Sequence, residues 1–449
     1  MKMIIHVDFE VNIFGDRVNA NEIFDAVGSM VEETSSLLAQ ATIEGYQSFV
    51  VETLCRPSGM TKKRGLGGHE EKGRPGFRCR CRRFRPSGRW GKDKRLRGDK
   101  CEVEFRPRLV ECLSCGKRFT PVLSALELSP YQRNSDQVHR LVVEAVADTS
   151  YRRGSHQLNV LGAVPVPKST MHRWVAEIGE PRSESEGDYY LFADGTGFKR
   201  QPGERGEVRI ALEMSQEGQI RPLGAWAGTP WKEIGREIKD RLKGQPSLFV
   251  GDGEHGMEQW VSRLATSQQR SHWHLARDSR VILWQDKAPP KERKDVSEKL
   301  SRLLAIEIPA EDMEQVTQRD KQAVRERILQ AEKQLHELDQ ELTAKGYRKA
   351  ATYLRNAHER LFTYLRLWLQ TGIANPRTAS IVENTIREVG RRLKRVGWNW
   401  SNKGAASMAN LVLVRRYDNE GWEAFWKNRM KIKDRCRIQI LDYQVKRVA

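Results

Sequence analysis

Apolar residues recur every three or four positions between 21 and 55, at Ile23, Phe24, Val27, Met30, Val31, Leu37, Leu38 and Ala41. That spacing predicts one amphipathic helix or two. The pattern stops over residues 58–76, SGMTKKRGLGGHEEKGRPG, which read as a linker rich in glycine and charge. Helical spacing returns over 127–180. Pro165 and Pro167 interrupt it, and Ser169-Thr170 then begin a new helix, MHRWVAEIG. Ser and Thr favour that place because a side-chain oxygen accepts from a free backbone N–H.

The period then changes. Tyr189–Ala193 is a short apolar strand ending in Asp194, Glu207–Met214 alternates, and Gln219–Ala227 follows a turn at Gln216-Glu217-Gly218. A helix fits Trp231–Leu242, a buried strand fits Ser247–Val250 before Gly251-Asp252, a helix fits His255–Ala265, and Arg270–His274 (RSHWH) reads as one more strand. Three strands joined by tight turns run antiparallel, whereas strands joined through helices can run parallel. The expected fold is therefore α/β with a mixed sheet, three antiparallel strands first and parallel strands after.

Between about 285 and 375 the chain is helical and highly charged. Val324, Ile328, Ala331, Leu335, Leu338 and Leu342 line one face, as in a coiled-coil hairpin arm. Asn375-Pro376 ends this region. A last amphipathic helix runs through Ile381, Ile386, Val389 and Leu393, followed by WNWSNKGAASMANLVLVRRY and a basic tail.

The chain has 449 residues, which at roughly 150 per domain suggests about three domains. Its net charge of +19 predicts a polyanionic partner, most simply nucleic acid. Residues 61–108 hold 18 Lys and Arg against 6 Asp and Glu, a surplus of 12, so most of the charge sits in one segment. A solvated linker accounts for its first part, 61–76, but not for the stretch where cysteines and aromatics begin. No run approaches the roughly 18 apolar residues of a membrane span. Asp8 and Glu10 interrupt the would-be apolar N-terminus, so no signal peptide is expected, and the expected location is cytoplasmic, on the nucleoid, with no membrane contact.

Five of the seven cysteines fall between 79 and 115, which points to a local metal site rather than a disulfide scaffold. Cys112-Leu-Ser-Cys115-Gly-Lys has the form of a zinc knuckle, in which two thiolates grip one tetrahedral ion and the glycine permits the tight turn. Cys79 and Cys81 are the simplest second pair, with Cys101 as an alternate, and free cysteines in a basic loop are the competing explanation. Arg78, Arg80, Arg82, Arg83, Arg85 and Arg89 would surround the ion and clamp a phosphate backbone. Further on, Tyr151–Gly179 reads as helix, proline-containing turn, helix. As a helix-turn-helix it would present Lys168, Ser169, His172 and Arg173 to a major groove. The plainer alternative is a helical linker packed by Leu161 and Trp174.

Asp194 and Asp252 each close a strand of the expected sheet, and Glu383 lies on a late helix able to cover the same edge. Asp194 or Asp252 alone reads as a solvated strand-end turn residue, and a solvated helix-face charge is the competing explanation for Glu383. Three converging carboxylates repel one another unless a hard divalent cation neutralises them, and Mg²⁺ (or Mn²⁺) suits oxygen ligands. Two such ions, roughly 3.5–4 Å apart, would serve phosphoryl transfer. Glu388 is a second candidate on the last helix. At about 100° per residue it points about 140° from Glu383, toward Arg391 and Arg392, where a solvated ion pair suits it better. Gly251-Asp-Gly-Glu-His-Gly256 also matches a dinucleotide fingerprint, but Asp252 and Glu254 would put negative charge where a pyrophosphate must sit.

The chain resembles the RNase H-like DDE transposases of bacterial insertion sequences, on the Mutator-like side of that superfamily. The resemblance rests on ECLSCGKRFTPVLSALEL, SYRRGSHQL…STMHRWV, FADGTGF, FVGDGEHGMEQWV, HWHLARD and IVENTIREVGRRLKRVGWNWSNKGAASM, in that order. It implies Asp194, Asp252 and Glu383 as the metal-binding triad and 285–375 as a helical insertion in an RNase H-like core. Where relatives often carry Cys-x-x-His, this chain has Ser271 and His274, which makes His274 a possible auxiliary residue. The implied layout is an N-terminal helical region and linker (1–76), a zinc-binding module (77–125), a helix-turn-helix region (126–182), the first part of the core (183–284), the insertion (285–375), the core's C-terminal helices (376–430) and a basic tail (431–449). The implied partner is double-stranded DNA, as element ends and as target, met by a homo-oligomer. The implied activity is cleavage and joining of its strands. A non-catalytic DNA-binding regulator that keeps the fold is the alternative.

Overall fold

The computed structural model describes residues 2–7, 20–56, 83–129, 131–160, 166–181, 189–201, 203–309, 316–394, 399–432 and 436–438. The chain divides into two compact units, Met1–Met171 with Arg429–Ala449, and His172–Asn428.

In the first unit the early helical pattern is a single long helix, α1 (Ala20–Cys55). Its apolar stripe behaves differently along its length. Val50 and Val51 are buried, and Ala39 and Ile43 pack on Val103, Phe105 and Val122, whereas Ile23, Phe24, Val27, Val31 and Leu37 are exposed. Strands β1 (Phe84–Trp90), β2 (Lys94–Arg97), β3 (Glu102–Phe105), β4 (Arg108–Cys112) and β5 (Arg118–Phe119) make two small antiparallel sheets, β1-β4-β5 and β2-β3. Helices α2 (Pro121–Ala125), α3 (Asp136–Asp148) and α4 (Tyr151–Val160) follow. Ser135 caps α3 by accepting from the Val138 N–H at 3.3 Å. Helix α5 (Lys168–Ile178) carries the chain into the second unit.

The second unit is built on a five-stranded sheet. Strands β6 (Tyr189–Lys199), β7 (Arg205–Ser215) and β8 (Ile220–Ala227) pair antiparallel. Helix α6 (Trp231–Arg241) leads to β9 (Leu248–Gly251), which runs parallel to β6, and α7 (His255–Trp260) leads to β10 (Ser267–Arg270), parallel to β9. The order across the sheet is β10-β9-β6-β7-β8. Side chains alternate faces along a strand. Leu191, Ala193, Ala211, Leu223 and Phe249 therefore share one face, packed on Trp231, Ile234 and Ile238 of α6 and Met257 of α7.

Helices α8 (His272–Gln285), α9 (Pro290–Leu304), α10 (Gln318–Ala344), α11 (Arg348–Ala357) and α12 (Thr363–Thr371) come next, then α13 (Ser380–Leu393), α14 (Asn402–Tyr417) and α15 (Asn419–Met430). Helices α13 and α14 lie against β6 and β8 respectively. Asn410 of α14 fixes that packing. Its side chain donates to the Ala225 carbonyl and accepts from the Ala225 N–H, both at 2.9 Å, at a place where β8 is buried.

Three sequence expectations change here. Asp194 does not end its strand, because β6 continues to Lys199, paired residue by residue with β7. Gly195 and Gly197 hide that continuation, since they carry no side chain to alternate. The strand expected over 270–274 lies three residues earlier, and His272 already begins α8. Strand β10 reads Ser-Gln-Gln-Arg and was invisible to an apolar pattern. Its buried Gln269 is satisfied instead by the Leu361 carbonyl at 2.8 Å and the Tyr364 N–H at 3.1 Å. Finally, the α10 stripe is not a two-helix arm. Val324, Ile328, Ala331, Leu335, Leu338 and Leu342 share one core with buried residues of α8, α9, α11 and α12, including Trp368 and Leu300.

Candidate active site

Parallel pairing of the two central strands brings two acids together. Phe192 of β6 is in register with Val250 of β9, so Asp194 and Asp252, each two residues further on, leave the same face of the sheet. Strand β9 stops at Gly251 while β6 continues, which opens the sheet at that point. The face is the one opposite Ala193 and Phe249, and α13 packs on β6 with Glu383 in its first turn.

Asp194 is only 7% exposed. The Gly195 N–H donates to its Oδ1 at 2.7 Å. Burial pushes its carboxyl up to about 7, and the charges of Asp252 and Glu383 push the same way, against the opposing pull of His274 and the Gly195 N–H. Asp252 accepts from the Glu254 N–H at 2.8 Å, which tightens the turn after β9. His274, on the buried side of α8, has Nε2 3.1 Å from Glu383 Oε1 and 3.9 Å from Asp194 Oδ2. On the other side of the ring, Nδ1 lies 3.2 Å from the Arg277 guanidinium and 3.9 Å from Asp278 Oδ2. Nε2 and Glu383 Oε1 are not aligned for a hydrogen bond, and both are buried polar atoms without a partner.

Two neighbouring histidines are thus sorted by their surroundings. His272 is held below the usual range, to about 4, by burial, and its Nε2 is engaged by the Leu361 carbonyl at 2.6 Å. It serves the core, while His274 serves the acids.

As the side chains stand, no group of three His, Cys, Asp or Glu among the described residues is set to hold a metal ion. The donor chemistry nonetheless fits a hard cation. Asp252 and Glu383 are near enough for their charges to act on Asp194, which burial pushes toward its neutral form, and Glu383 Oε1 is buried without a hydrogen bond. Glu388 stands apart, bonded to Arg391 at 2.6 Å and Arg392 at 3.0 Å.

Some neighbours were not singled out in the sequence. Arg277, bonded to Asp278 at 2.6 and 3.0 Å, also feels the charges of Asp194 and Glu383. On the other face of the sheet, Arg209 lies over the Trp231 ring and pairs with Glu207 at 2.7 Å and Glu254 at 3.5 Å. Only the three-residue step from His274 to Arg277 offered a signal, since it places both near each other on a helix.

The other sequence candidates lie elsewhere. On α5, Lys168, Ser169 and Arg173 are exposed, whereas His172 is half-buried, its Nε2 close to Gly404 of α14. Cys79 and Cys81 lie outside the described residues. Cys112 is buried and Cys115 exposed, on the hairpin between β4 and β5. Gly116 takes φ +69, its N–H meets the Cys112 carbonyl at 2.9 Å, and the Ser114 N–H approaches Cys112 Sγ at 3.4 Å. Cys101 sits in the turn between β2 and β3, in the other small sheet, and does not complete a three-residue group with Cys112 and Cys115.

Compared with known protein families, residues 116–424 match the transposases of the Mutator family. The chain belongs to this family. The matched stretch contains Asp194, Asp252, His274 and Glu383 and begins just after Cys115. No curated protein matches the chain. No helix among its described residues is long and apolar enough to cross a membrane.

Proposed function

We propose that this transposase is a DDE enzyme of a bacterial insertion sequence, with an RNase H-like core whose acids are Asp194, Asp252 and Glu383. The single observation that supports the reading is the parallel register that puts Asp194 and Asp252 on one face of the sheet, with Glu383 near enough that both charges add to the burial that pushes Asp194 up to about 7. The strand order β10-β9-β6-β7-β8, antiparallel in its first three strands and parallel in its last two, supports the RNase H-like assignment. Asp194, Asp252 and Glu383 would hold Mg²⁺ or Mn²⁺, which when bound supplies charge for phosphoryl transfer.

The chemistry has two displacements. A water oxygen attacks a phosphorus at the element end, the bond to the 3′ oxygen breaks, and a 3′ hydroxyl and a 5′ phosphate result. That 3′ oxygen then attacks a target phosphorus and displaces the target's own 3′ oxygen. No covalent link to the protein forms. His274, with Nε2 3.1 Å from Glu383 and 3.9 Å from Asp194, would act as a positioning residue between the two carboxylates, with Arg277 beside its Nδ1.

DNA recognition falls to the first unit and α5. The basic strands β1–β5 with a zinc ion held by Cys112, Cys115, Cys79 and Cys81 would clamp backbone phosphates, and Lys168, Ser169 and Arg173 would read the terminal repeats.

Strand cleavage of DNA carrying the element's ends tests the reading, comparing wild type with Asp194→Asn. The wild type should cut in Mg²⁺ and leave 3′ hydroxyls, and Asp194→Asn should bind the same DNA and not cut. An Asp194→Asn protein that keeps every function of the wild type would mark a DNA-binding regulator instead.

A further inference from the structure

Helix α8 starts beside the acids and has two contrasting faces. His272, His274, Leu275, Ala276, Ser279 and Leu283 are buried. Trp273, Arg277, Arg280, Val281 and Trp284 are exposed at steps of three and four, which places them on one side of the helix. Trp273 is 48% and Trp284 63% exposed, a large apolar area to leave in water. Large exposed rings of this kind mark interaction sites. Trp284 has no ring or cation partner among the described residues, and Arg277 lies 4.4 Å over the Trp273 ring.

We propose that this face holds unpaired nucleotides at the end of the DNA strand being processed, with Trp273 and Trp284 stacking on bases and Arg277 and Arg280 meeting phosphates. The proposal deepens the transposase reading above and rests on it. Three observations select this occupant. First, the face offers one uncommitted cation, since Arg277 is shared with Asp278 while the exposed Arg280 has no ion-pair partner among the described residues, and the acid at its far end, Asp286, is turned to the Ala350 N–H at 2.9 Å. Second, tryptophan offers a flat ring and a single N–H donor. Duplex grooves present hydrogen-bonding base edges, whereas open base faces exist only where pairing is lost. Third, the face begins at the chemistry. The Trp273 ring lies 4.9 Å from that of His274, which itself lies 3.1 Å from Glu383. Trp284 is eleven residues along, about 16 Å at helical rise, a span that a few unpaired nucleotides cover.

The test needs no cleavage, so its outcome is separate from that of the catalytic reading. Full-length protein is titrated without divalent metal into a duplex carrying a 3′ tail of about five thymidines with 2-aminopurine at the junction, and into the blunt duplex. Stacking tolerates any base, so the terminal-repeat sequence is not required. The wild type should favour the tailed duplex about tenfold and change the 2-aminopurine fluorescence on binding. Trp273→Ala/Trp284→Ala should lose both the preference and the fluorescence change while binding blunt duplex as the wild type does. Trp260→Ala, at another exposed tryptophan of the same unit, should keep both. Equal affinity of the wild type for the two DNAs would overturn the proposal. So would a double variant that keeps the preference. If that variant keeps the preference but loses self-association, the face joins copies of the chain.

Discussion

Replacing Glu383 by Gln is expected to reduce strand cleavage and joining in Mg²⁺ by about a thousandfold or more while leaving DNA affinity unchanged. Glu383→Gln keeps the shape and removes the charge. A metal-held carboxylate contributes several kcal/mol to the stabilisation of developing charge, and each 1.36 kcal/mol is about a factor of ten in rate. Glu388→Gln is the matched control, five residues along the same helix. Its carboxylate is spent on the exposed Arg391 and the half-buried Arg392, away from the acids, so activity should stay within a few-fold. Cleavage assays on both variants distinguish the two acids. An active Glu383→Gln with a dead Glu388→Gln would transfer the role to Glu388, and activity in both would remove α13 from the chemistry.

The second large effect concerns the cysteines. The purified protein is expected to carry one zinc ion per chain, and Cys112→Ser is expected to lose it together with most DNA binding. Cys112 is buried at the end of β4, and its turn to Gly116 already directs an N–H at its sulfur. The sheets around it are small, and their shared core is little more than Val103, Phe105 and Val122 with α1 and α2. A module with so little apolar interior depends on its metal, because the binding energy of a structural site is folding energy. Metal analysis of both proteins, with proteolysis of residues 83–129, reads the outcome. Wild-type protein without stoichiometric zinc would refute the assignment.

What could be read from the sequence follows from which side chains carry a periodic signal. Strand β7 alternates apolar and polar residues and was legible, β8 followed from the turn before it, and the acid just after β9 was legible too. Glu383 and Glu388 were separable because five residues turn a helix by about 140°. Strand β10 was not legible, since its Gln269 and Arg270 are buried polar residues satisfied by distant partners: Gln269 by Leu361 and Tyr364, Arg270 by Tyr353. Nor was the long β6, in which two glycines interrupt the pattern. Helix α10 showed its buried stripe but not what would cover it, because a heptad-like stripe specifies a face and not a partner. The exposed half of α1 is the reverse case, a stripe of the right period that no described residue covers. In the site, Asp252 was legible at a strand end and Glu383 on a helix, whereas Asp194 was picked out as a strand end and lies within β6. The pairing of His274 with Glu383 was not legible, because it depends on α8 starting three residues before the chain pattern implied.

The central claim is that Asp194, Asp252 and Glu383 act together as ligands of a divalent cation. Electron paramagnetic resonance of Mn²⁺ titrated into the zinc-loaded protein tests it most directly, without DNA or turnover. The wild type should take up Mn²⁺ in competition with Mg²⁺, and Asp194→Asn, Asp252→Asn and Glu383→Gln should each weaken that uptake by about tenfold or more while Glu388→Gln leaves it intact. Mn²⁺ uptake that is the same in all five proteins would contradict the claim.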